Sequence, residues 1–415
     1  MSTAKTLNYS EWVHWLETRH IMPQIAPGLE RTLAALKQTR LFGQNSQQHT
    51  IHVAGTNGKG TTAKTIEHLI RSSGESVGLY TSPHLVTTRE RIQANGQMIT
   101  ESEFCDLCEK HFETIKTFNL SHFESLTLFA LDYFLNIKKT KWMIFEIGLG
   151  GLWDATNAIH HCTSVITTIG FDHMHILGHT LLEIAKNKFG IIQKDNLVIH
   201  QKYPTDVDTL LKETVEKQNA RPLLVRPYSH SVQPNLIPQY FLLYNDKKIP
   251  LSLPGVRAVE NISTALTVVN ALNIKVDVPT ALQNLQWPAR MTPLENLKSP
   301  CPVYLSGDHN LQGIDSLCEI LSYSTYKKIR FVLGLSKNRS HDPFVDKISR
   351  LRDAEIYYTQ PQFQGVSPDL QKYTPYFETP QMALAAALDG MTKEDLVVIT
   401  GSLYLCGELM AKTTP

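Results

Sequence analysis

The sequence predicts an α/β protein whose mostly parallel sheets are covered by helices and divided between two domains. Short apolar runs alternate with longer helix-periodic segments along nearly all of the 415 residues, the pattern of strands joined by helical crossovers. A glycine-rich stretch, Gly55-Thr56-Asn57-Gly58-Lys59-Gly60-Thr61, lies between one such run and one such segment. The aperiodic stretch Trp287–Pro300 holds Pro288, Pro293 and Pro300 and is followed at once by a new strand, which marks a domain boundary. The expected division is residues 1–294 and 295–415.

Taken in order, the apolar run Thr50–Ala54 reads as a strand and Thr62–Ser73 as the helix after the glycines. Ser76–Tyr80 is the next strand, and helices follow at Glu103–Phe118 and Glu124–Asn136. Strands Trp142–Ile147 and Ser164–Ile169 precede helix Leu181–Gly190. Strand Asn196–His200 leads to helix Val207–Gln218. The segment 230–254 breaks the rhythm: Tyr240–Tyr244 and Lys248–Leu251 flank Asn245-Asp246, the signature of an antiparallel hairpin. Helix Ala258–Ala271 completes the first domain. Beyond the boundary, strands Val303–Ser306, Ile329–Leu333, Glu355–Tyr358 and Leu396–Thr400 alternate with helices Leu311–Ser322 and Gln381–Asp389.

A net charge of +1 gives no electrostatic footprint for nucleic acid or anionic lipid. The first residues lack a secretory pattern, and no apolar run reaches bilayer length. Six scattered cysteines do not form a disulfide framework, so a reducing cytoplasm is the expected compartment. Cys105 and Cys108 make a C-x-x-C inside the amphipathic stretch Glu101–Thr117, with no second pair downstream to complete a metal site.

A strand, a glycine-rich turn and a helix aim backbone N–H groups at a phosphate. Lys59 would reach the outer phosphates, and Thr61 or Thr62 would help hold magnesium. The usual loop pattern is broken at both ends, because Val53 stands at its first position and Gly60 at its last. A solvated lysine in a surface turn is the bland alternative. Glu146 ends an apolar run before Ile147-Gly148-Leu149-Gly150-Gly151, at the carboxyl edge where open parallel sheets bind ligands. A carboxylate there suits magnesium, or is a plain strand-end glutamate. Asp172-His173-Met174-His175 follows another strand and reads as a metal-side loop or as ordinary loop histidines. Lys188 shares a helical stripe with Ile184 and Ile191. By itself it supports only a solvated lysine, whereas a buried head would have a lowered pKa.

Together these residues resemble the folylpolyglutamate synthase/dihydrofolate synthase family of the Mur ligase superfamily, from Gly28 to about Glu408. The motifs carrying the resemblance are Gly28-Leu29-Glu30-Arg31, Gly55–Thr61, Tyr80-Thr81-Ser82-Pro83-His84-Leu85 and Phe123-Glu124 with Thr127. They continue with Gly148–Gly151 leading to Asp154-Ala155-Thr156-Asn157, Asp172-His173 and Lys188-Phe189-Gly190-Ile191. Pro254-Gly255 through Asn261, Trp287-Pro288-Ala289-Arg290, Gly307 with His309-Asn310, and Gly401-Ser402 through Gly407-Glu408 complete the set.

The resemblance implies a P-loop nucleotide-binding domain followed by a smaller Rossmann-like α/β C-terminal domain. It implies that Asn57, Gly58, Lys59, Gly60 and Thr61 cradle ATP, with Asn261, Arg290, Ser306 and His309 as further ATP contacts. Ser82 and Glu146 would hold one Mg2+, and Glu146, His173 and a carbamylated Lys188 a second; a monovalent cation is also implied. Gly28, Leu29, Glu30, Arg31, His122, Phe123, Glu124, Trp153, Asp154 and Ala155 would line a pterin pocket. Lys59, Glu146, His173 and Lys188 form the implied catalytic set. The implied reaction joins L-glutamate to dihydropteroate or a reduced folate through an acyl phosphate made from ATP, with the C-terminal domain supplying the glutamate side and closure. Nucleic acid and membrane are not expected partners, and a monomer is the default.

Three positions depart from the family pattern. Leu152 and Trp153 stand where an arginine and a leucine are usual. Ser306 stands where aspartate is usual and Asp308 where alanine is; a two-residue shift on an extended segment keeps the same face, so Asp308 is expected to substitute. His175 and His179 replace acidic residues. The competing readings are a monofunctional folylpolyglutamate synthase, a cell-wall Mur ligase and a non-catalytic nucleotide-binding descendant. Only 54 residues precede Gly55, which argues against the separate leading domain of a cell-wall ligase.

Overall fold

The computed structural model describes residues 7–19, 29–336, 340–361 and 372–413. The chain forms two compact units. The first contains Met1–Pro83, Thr88–Arg226 and Asn261–Asp277; the second contains His84–Thr87, Pro227–Glu260 and Val278–Pro415.

The first unit opens with α1 (Tyr9–Thr18) and α2 (Glu30–Gln38), then runs β1 (His49–Ala54), α3 (Lys59–Ser72), β2 (Val77–Tyr80), β3 (Ile92–Ala94) and β4 (Gln97–Met98). It continues with α4 (Glu101–Thr117), α5 (His122–Asp132), β5 (Trp142–Glu146), β6 (Thr163–Ile166), α6 (Met174–Leu177) and α7 (Leu181–Phe189). β7 (Leu197–His200), α8 (Thr205–Lys217) and β8 (Arg221–Leu224) follow, and most of α9 (Val256–Ala271) returns to this unit. The strands make one sheet in the order β4-β3-β2-β5-β1-β6-β7-β8. All neighbours from β2 to β8 are parallel, while β3 and β4 are an antiparallel edge. The chain leaves β1 on one side for β2 and crosses to the other side at β6, so β1 sits at the reversal where such sheets bind ligands.

Burial explains why these runs are strands. Residues 50–54 of β1 and all of β2, β5 and β6 are buried, as helix-covered parallel strands require. One face packs Phe104, Phe129, Phe134 and Phe145; the other packs Ala54, Ile166, Phe189 and Val198. Among the described residues, four helices begin with reciprocal capping boxes: Asn8/Glu11, Thr100/Glu103, Ser121/Glu124 and Thr180/Glu183. Each cap contributes about 1 kcal/mol. The Ser121 box starts α5 two residues before the expected Glu124, and a π turn at Tyr133–Ile137 ends the α-helical part early. β6 stops at Ile166 rather than Ile169.

His52 of β1 is fully buried, and its ring stacks on His161 at 3.8 Å with an interplanar angle of 13°. Neither ring nitrogen of His52 has a hydrogen-bond partner among the described residues. Burial, aided by His161 and His160, holds the His52 pKa well below its usual value; burial brings His161 down to about 4. The sign follows from the neutral form being the folded one. Stability is whole above the unfolded value of about 6.5 and falls as pH drops below it, by about 1.4 kcal/mol per pH unit for His161 down to its folded value. His52→Phe is expected to lose less stability than the parent between pH 7.5 and pH 5, read by urea denaturation at both pH values. Equal losses would contradict this account.

The second unit contains β9 (His230–Gln233), β10 (Gln239–Tyr244), β11 (Lys247–Pro250), α10 (Val278–Gln283), β12 (Arg290–Pro293) and β13 (Val303–Ser306). Then come α11 (Leu311–Ser322), β14 (Ile329–Leu333), α12 (Asp342–Ile348), β15 (Ala354–Tyr358), α13 (Pro380–Leu388), β16 (Leu396–Thr400) and α14 (Leu403–Thr413). The five-stranded sheet runs β12-β13-β16-β14-β15, parallel except at β12. The expected hairpin is β10–β11, with Asn245 at φ +48° and Asp246 at +60°, the backbone a two-residue hairpin turn needs. β9 adds a third strand that the sequence reading lacked.

Candidate active site

The glycine-rich loop joins β1 to α3. Gly55 has φ +145° and Gly58 φ +86°, so the turn bends where side chains are strained. Gly58 stands at the N-cap of α3, and the first-turn N–H groups after it have no acceptor within the helix. A carbon added at Gly58 would lie 2.1 Å from Asn261 Oδ1. Asn261 Oδ1 also accepts from Thr62 Oγ1 at 3.4 Å. Thr62 is thereby tied to the residue that lies against Gly58, and both Thr61 and Thr62 are buried.

Two lysines meet on one carbonyl. Lys59 Nζ donates to Gly55 O at 3.2 Å and Thr56 O at 3.3 Å, and Lys188 Nζ donates to Gly55 O at 2.7 Å. Lys188 is buried, so the solvated reading of this side chain does not hold. Burial first, and the Lys59 charge second, bring its ammonium down to about 7 against the pull of Asp172. A large fraction of Lys188 is therefore neutral near pH 7.

Glu146 reaches the same edge through strand register. β1 and β5 are parallel, with Val53 opposite Glu146, two residues before Gly55. The next strand, β2, ends beside Phe145 at Tyr80, and Ser82 N donates to Glu146 Oε2 at 3.0 Å. The buried Glu146 carboxylate supplies oxygen donors of the kind magnesium takes. A protonated or neutral Lys188 amine is not such a donor; its carbamate is. His173 has φ +48°, a half-exposed side chain and a ring nitrogen 3.9 Å from Asp172 Oδ2. Among the described residues no three His, Cys, Asp or Glu side chains form a metal-sized group. Ser82, Glu146 and Lys188 lie at the loop edge, while His173 stands on the rim.

The residues expected at a pterin pocket fall together on three elements, apart from Gly28, which lies outside the described residues. Leu29 and Glu30 start α2, and Arg31 Nε pairs with Glu124 Oε1 at 3.2 Å. Glu124 also caps α5, accepting from Ser121 N at 2.8 Å. His122 is buried at the start of α5, and the Phe123 ring lies against Gly148, where an added carbon would be 2.7 Å away. Asp154 accepts from Leu149 N and Thr156 N, each at 3.0 Å, and caps the turn Ala155–Ala158. Burial pushes its carboxyl up against the pull of those bonds. Glu124 and Asp154 therefore already perform structural tasks. Trp153 is 52% exposed, an aromatic face open to a planar ligand. Leu152, which stands in place of the arginine, packs against Gly190.

In the second unit Arg290 pairs in register with Ser306 across β12 and β13. The Ser306 hydroxyl donates to the Asp308 carboxylate, and His309 Nδ1 lies 2.9 Å from Gly307 O. The Asp308 carboxylate is thus held against Ser306.

Sequence reasoning missed Asp172 as the counter-charge of Lys188 and the threonines that hold the loop. Thr167 Oγ1 donates to Asn57 O at 2.7 Å, and Thr168 Oγ1 accepts from Asn57 N at 3.1 Å. The run Thr167-Thr168-Ile169-Gly170 at a strand's carboxyl end was the available signal.

No family model matches the chain. It is 28% identical over 429 residues to the dihydrofolate synthase/folylpolyglutamate synthase of Bacillus subtilis, covering 97% of this chain and 98% of that protein. It is 30% identical over 383 residues to the protein of the same name from Buchnera aphidicola subsp. Schizaphis graminum, covering 86% and 87%. Among solved structures, the bifunctional folylpolyglutamate synthase/dihydrofolate synthase of Yersinia pestis superposes with a TM-score of 0.83 at 25% identity over 99% of both chains. The folylpolyglutamate synthase of Lacticaseibacillus casei gives 0.82 at 26% identity, over 98% of this chain and 99% of that one. Sequence and fold, agreeing over nearly the full length, show that the chain belongs to the folylpolyglutamate synthase/dihydrofolate synthase family.

Proposed function

We propose that this chain is an ATP-dependent acid–amino-acid ligase that adds L-glutamate to dihydropteroate and to reduced folates. The meeting of Lys59 and Lys188 on Gly55 O, beside Glu146, is the observation that carries the reading. The substrate carboxylate attacks the γ-phosphate of ATP, giving an acyl phosphate and ADP. The glutamate amine then attacks the acyl carbon, and phosphate leaves. In this reading the glycine-rich loop is a P-loop. The N–H groups of Gly58, Lys59, Gly60 and Thr61 orient the phosphates, with Asn57 and Asn261 alongside, and Lys59 offsets their charge. Ser82, Glu146, His173 and carbamylated Lys188 would hold Mg2+, which would neutralise the transferring phosphoryl group when bound. Arg31, Phe123 and Trp153 would seat the pterin. Residues 295–415 would supply the glutamate side, with Arg290, Ser306 and His309 as ATP contacts.

ADP release with magnesium and glutamate is the test. Release with either dihydropteroate or tetrahydrofolate is expected; release with neither would overturn the proposal. Release with tetrahydrofolate alone would select the monofunctional reading, which has support of its own in 28% identity over 432 residues to a Lacticaseibacillus casei protein named only folylpolyglutamate synthase. The Ser306–Asp308 contact supports Asp308 as the relocated carboxylate. Asp308→Ala is expected to raise the KM for ATP about tenfold, and an unchanged KM would remove Asp308 from the site.

A further inference from the structure

Backbone pairing between β1 and β6 ends at Ala54 and Ile166, but the two chains do not separate there. Thr167 N donates to Ala54 O at 2.9 Å, and Thr56 N donates to Thr168 O at 2.7 Å. Side-chain hydroxyls then continue the ladder. Thr56 Oγ1 donates to Gly170 O at 3.0 Å and accepts from Gly170 N at 3.0 Å. Thr168 Oγ1 accepts from Asn57 N at 3.1 Å and lies 3.2 Å from Asn57 O. Thr167 Oγ1 donates to the same carbonyl at 2.7 Å. Each of two hydroxyls therefore bridges the N–H and C=O of the opposite chain, a reciprocal pairing that backbone alone makes in a sheet. Both Thr56–Gly170 bonds are buried and so shielded from competing water, while those of Thr168 to Asn57 are part-buried.

Two consequences follow. The Asn57 N–H is spent on Thr168, so the loop's phosphate-facing donors begin at Gly58. And the segment on the far side of this ladder reaches Asp172-His173 only two residues after Gly170. We propose that Thr56 and Thr168 are positioning residues that couple the glycine-rich loop to the Asp172–His173 segment, so that a nucleotide seated on the first fixes the second. This rests on the ligase reading above.

The test uses the full chain and the variants Thr168→Val and Thr168→Ser. Valine keeps the shape, removes the hydroxyl and leaves both backbone groups of Asn57 without it. Hydrogen exchange of the ligand-free protein is expected to speed up together in peptides spanning 54–61 and 166–176 with valine and to return with serine. In the assay, Thr168→Val is expected to raise the KM for ATP about tenfold, with kcat within about threefold and the KM for glutamate unchanged; Thr168→Ser restores it. Faster exchange confined to 166–176, or a KM for ATP within about twofold of the parent, overturns the coupling. If the parent releases no ADP with either folate substrate, the ligase reading fails, and the exchange experiment still decides whether the two segments move as one.

Discussion

Lys188→Met is expected to lower ADP release about a thousandfold while making the ligand-free protein more stable. The first effect follows from removing the amine that shares Gly55 O with Lys59. The second follows from burial: Lys188 gives up much of its proton on folding because its pKa falls from 10.5 to about 7. A group so depressed costs stability in full below its folded value, and the cost disappears as pH rises through the unfolded one. At pH 8 it is about 3 kcal/mol. Allowing about 1 kcal/mol for the lost hydrogen bond to Gly55 O, methionine is expected to stabilise by about 2 kcal/mol at pH 8, with the gain shrinking towards pH 10.5. Urea denaturation in bicarbonate-free buffer and steady-state ADP release measure the two effects. A variant both active and less stable would mean that the amine is neither buried nor used.

Gly58→Ala is expected to raise the KM for ATP at least tenfold and to destabilise the first unit by about 3 kcal/mol. Its φ of +86° strains any side chain, and the new carbon would meet Asn261 Oδ1 at 2.1 Å. Gly74, just past the other end of α3, separates these causes, for its φ is +87° and nothing lies within 4 Å of an added carbon. Gly74→Ala is therefore expected to cost only the backbone strain, about 1 kcal/mol, and to leave the KM for ATP unchanged. Adding Asn261→Ala to Gly58→Ala is expected to recover part of the stability, as a non-additive cycle. Equal costs at Gly58 and Gly74 would show that Asn261 does not press on the loop.

The sheet-and-helix alternation was legible because buried parallel strands are continuous apolar runs and helices carry a different period. Lys59 and Glu146 could be placed on one edge for the same reason, as residues beyond strand carboxyl ends. Helix starts were less legible where the capping boxes were not used: Ser121 and Glu124 carry the signal that places the beginning of α5. Lys188 shows a different limit. Its stripe with Ile184 and Ile191 gave the face but not the depth of the amine, which depends on a carbonyl 133 positions away. The threonine ladder lies beyond local pattern altogether, since Thr167 and Asn57 are 110 positions apart. Glu124 and Asp154 pointed to a ligand in the sequence and prove also to cap their own elements.

The central claim is that the loop edge around Gly55 activates a carboxylic acid by phosphorylation. Its most direct test is to supply the folate precursor with an 18O-labelled carboxylate and examine the inorganic phosphate by mass spectrometry. Attack of that carboxylate on the γ-phosphate predicts one labelled oxygen in every phosphate released with amide product. Product formed alongside unlabelled phosphate would contradict it.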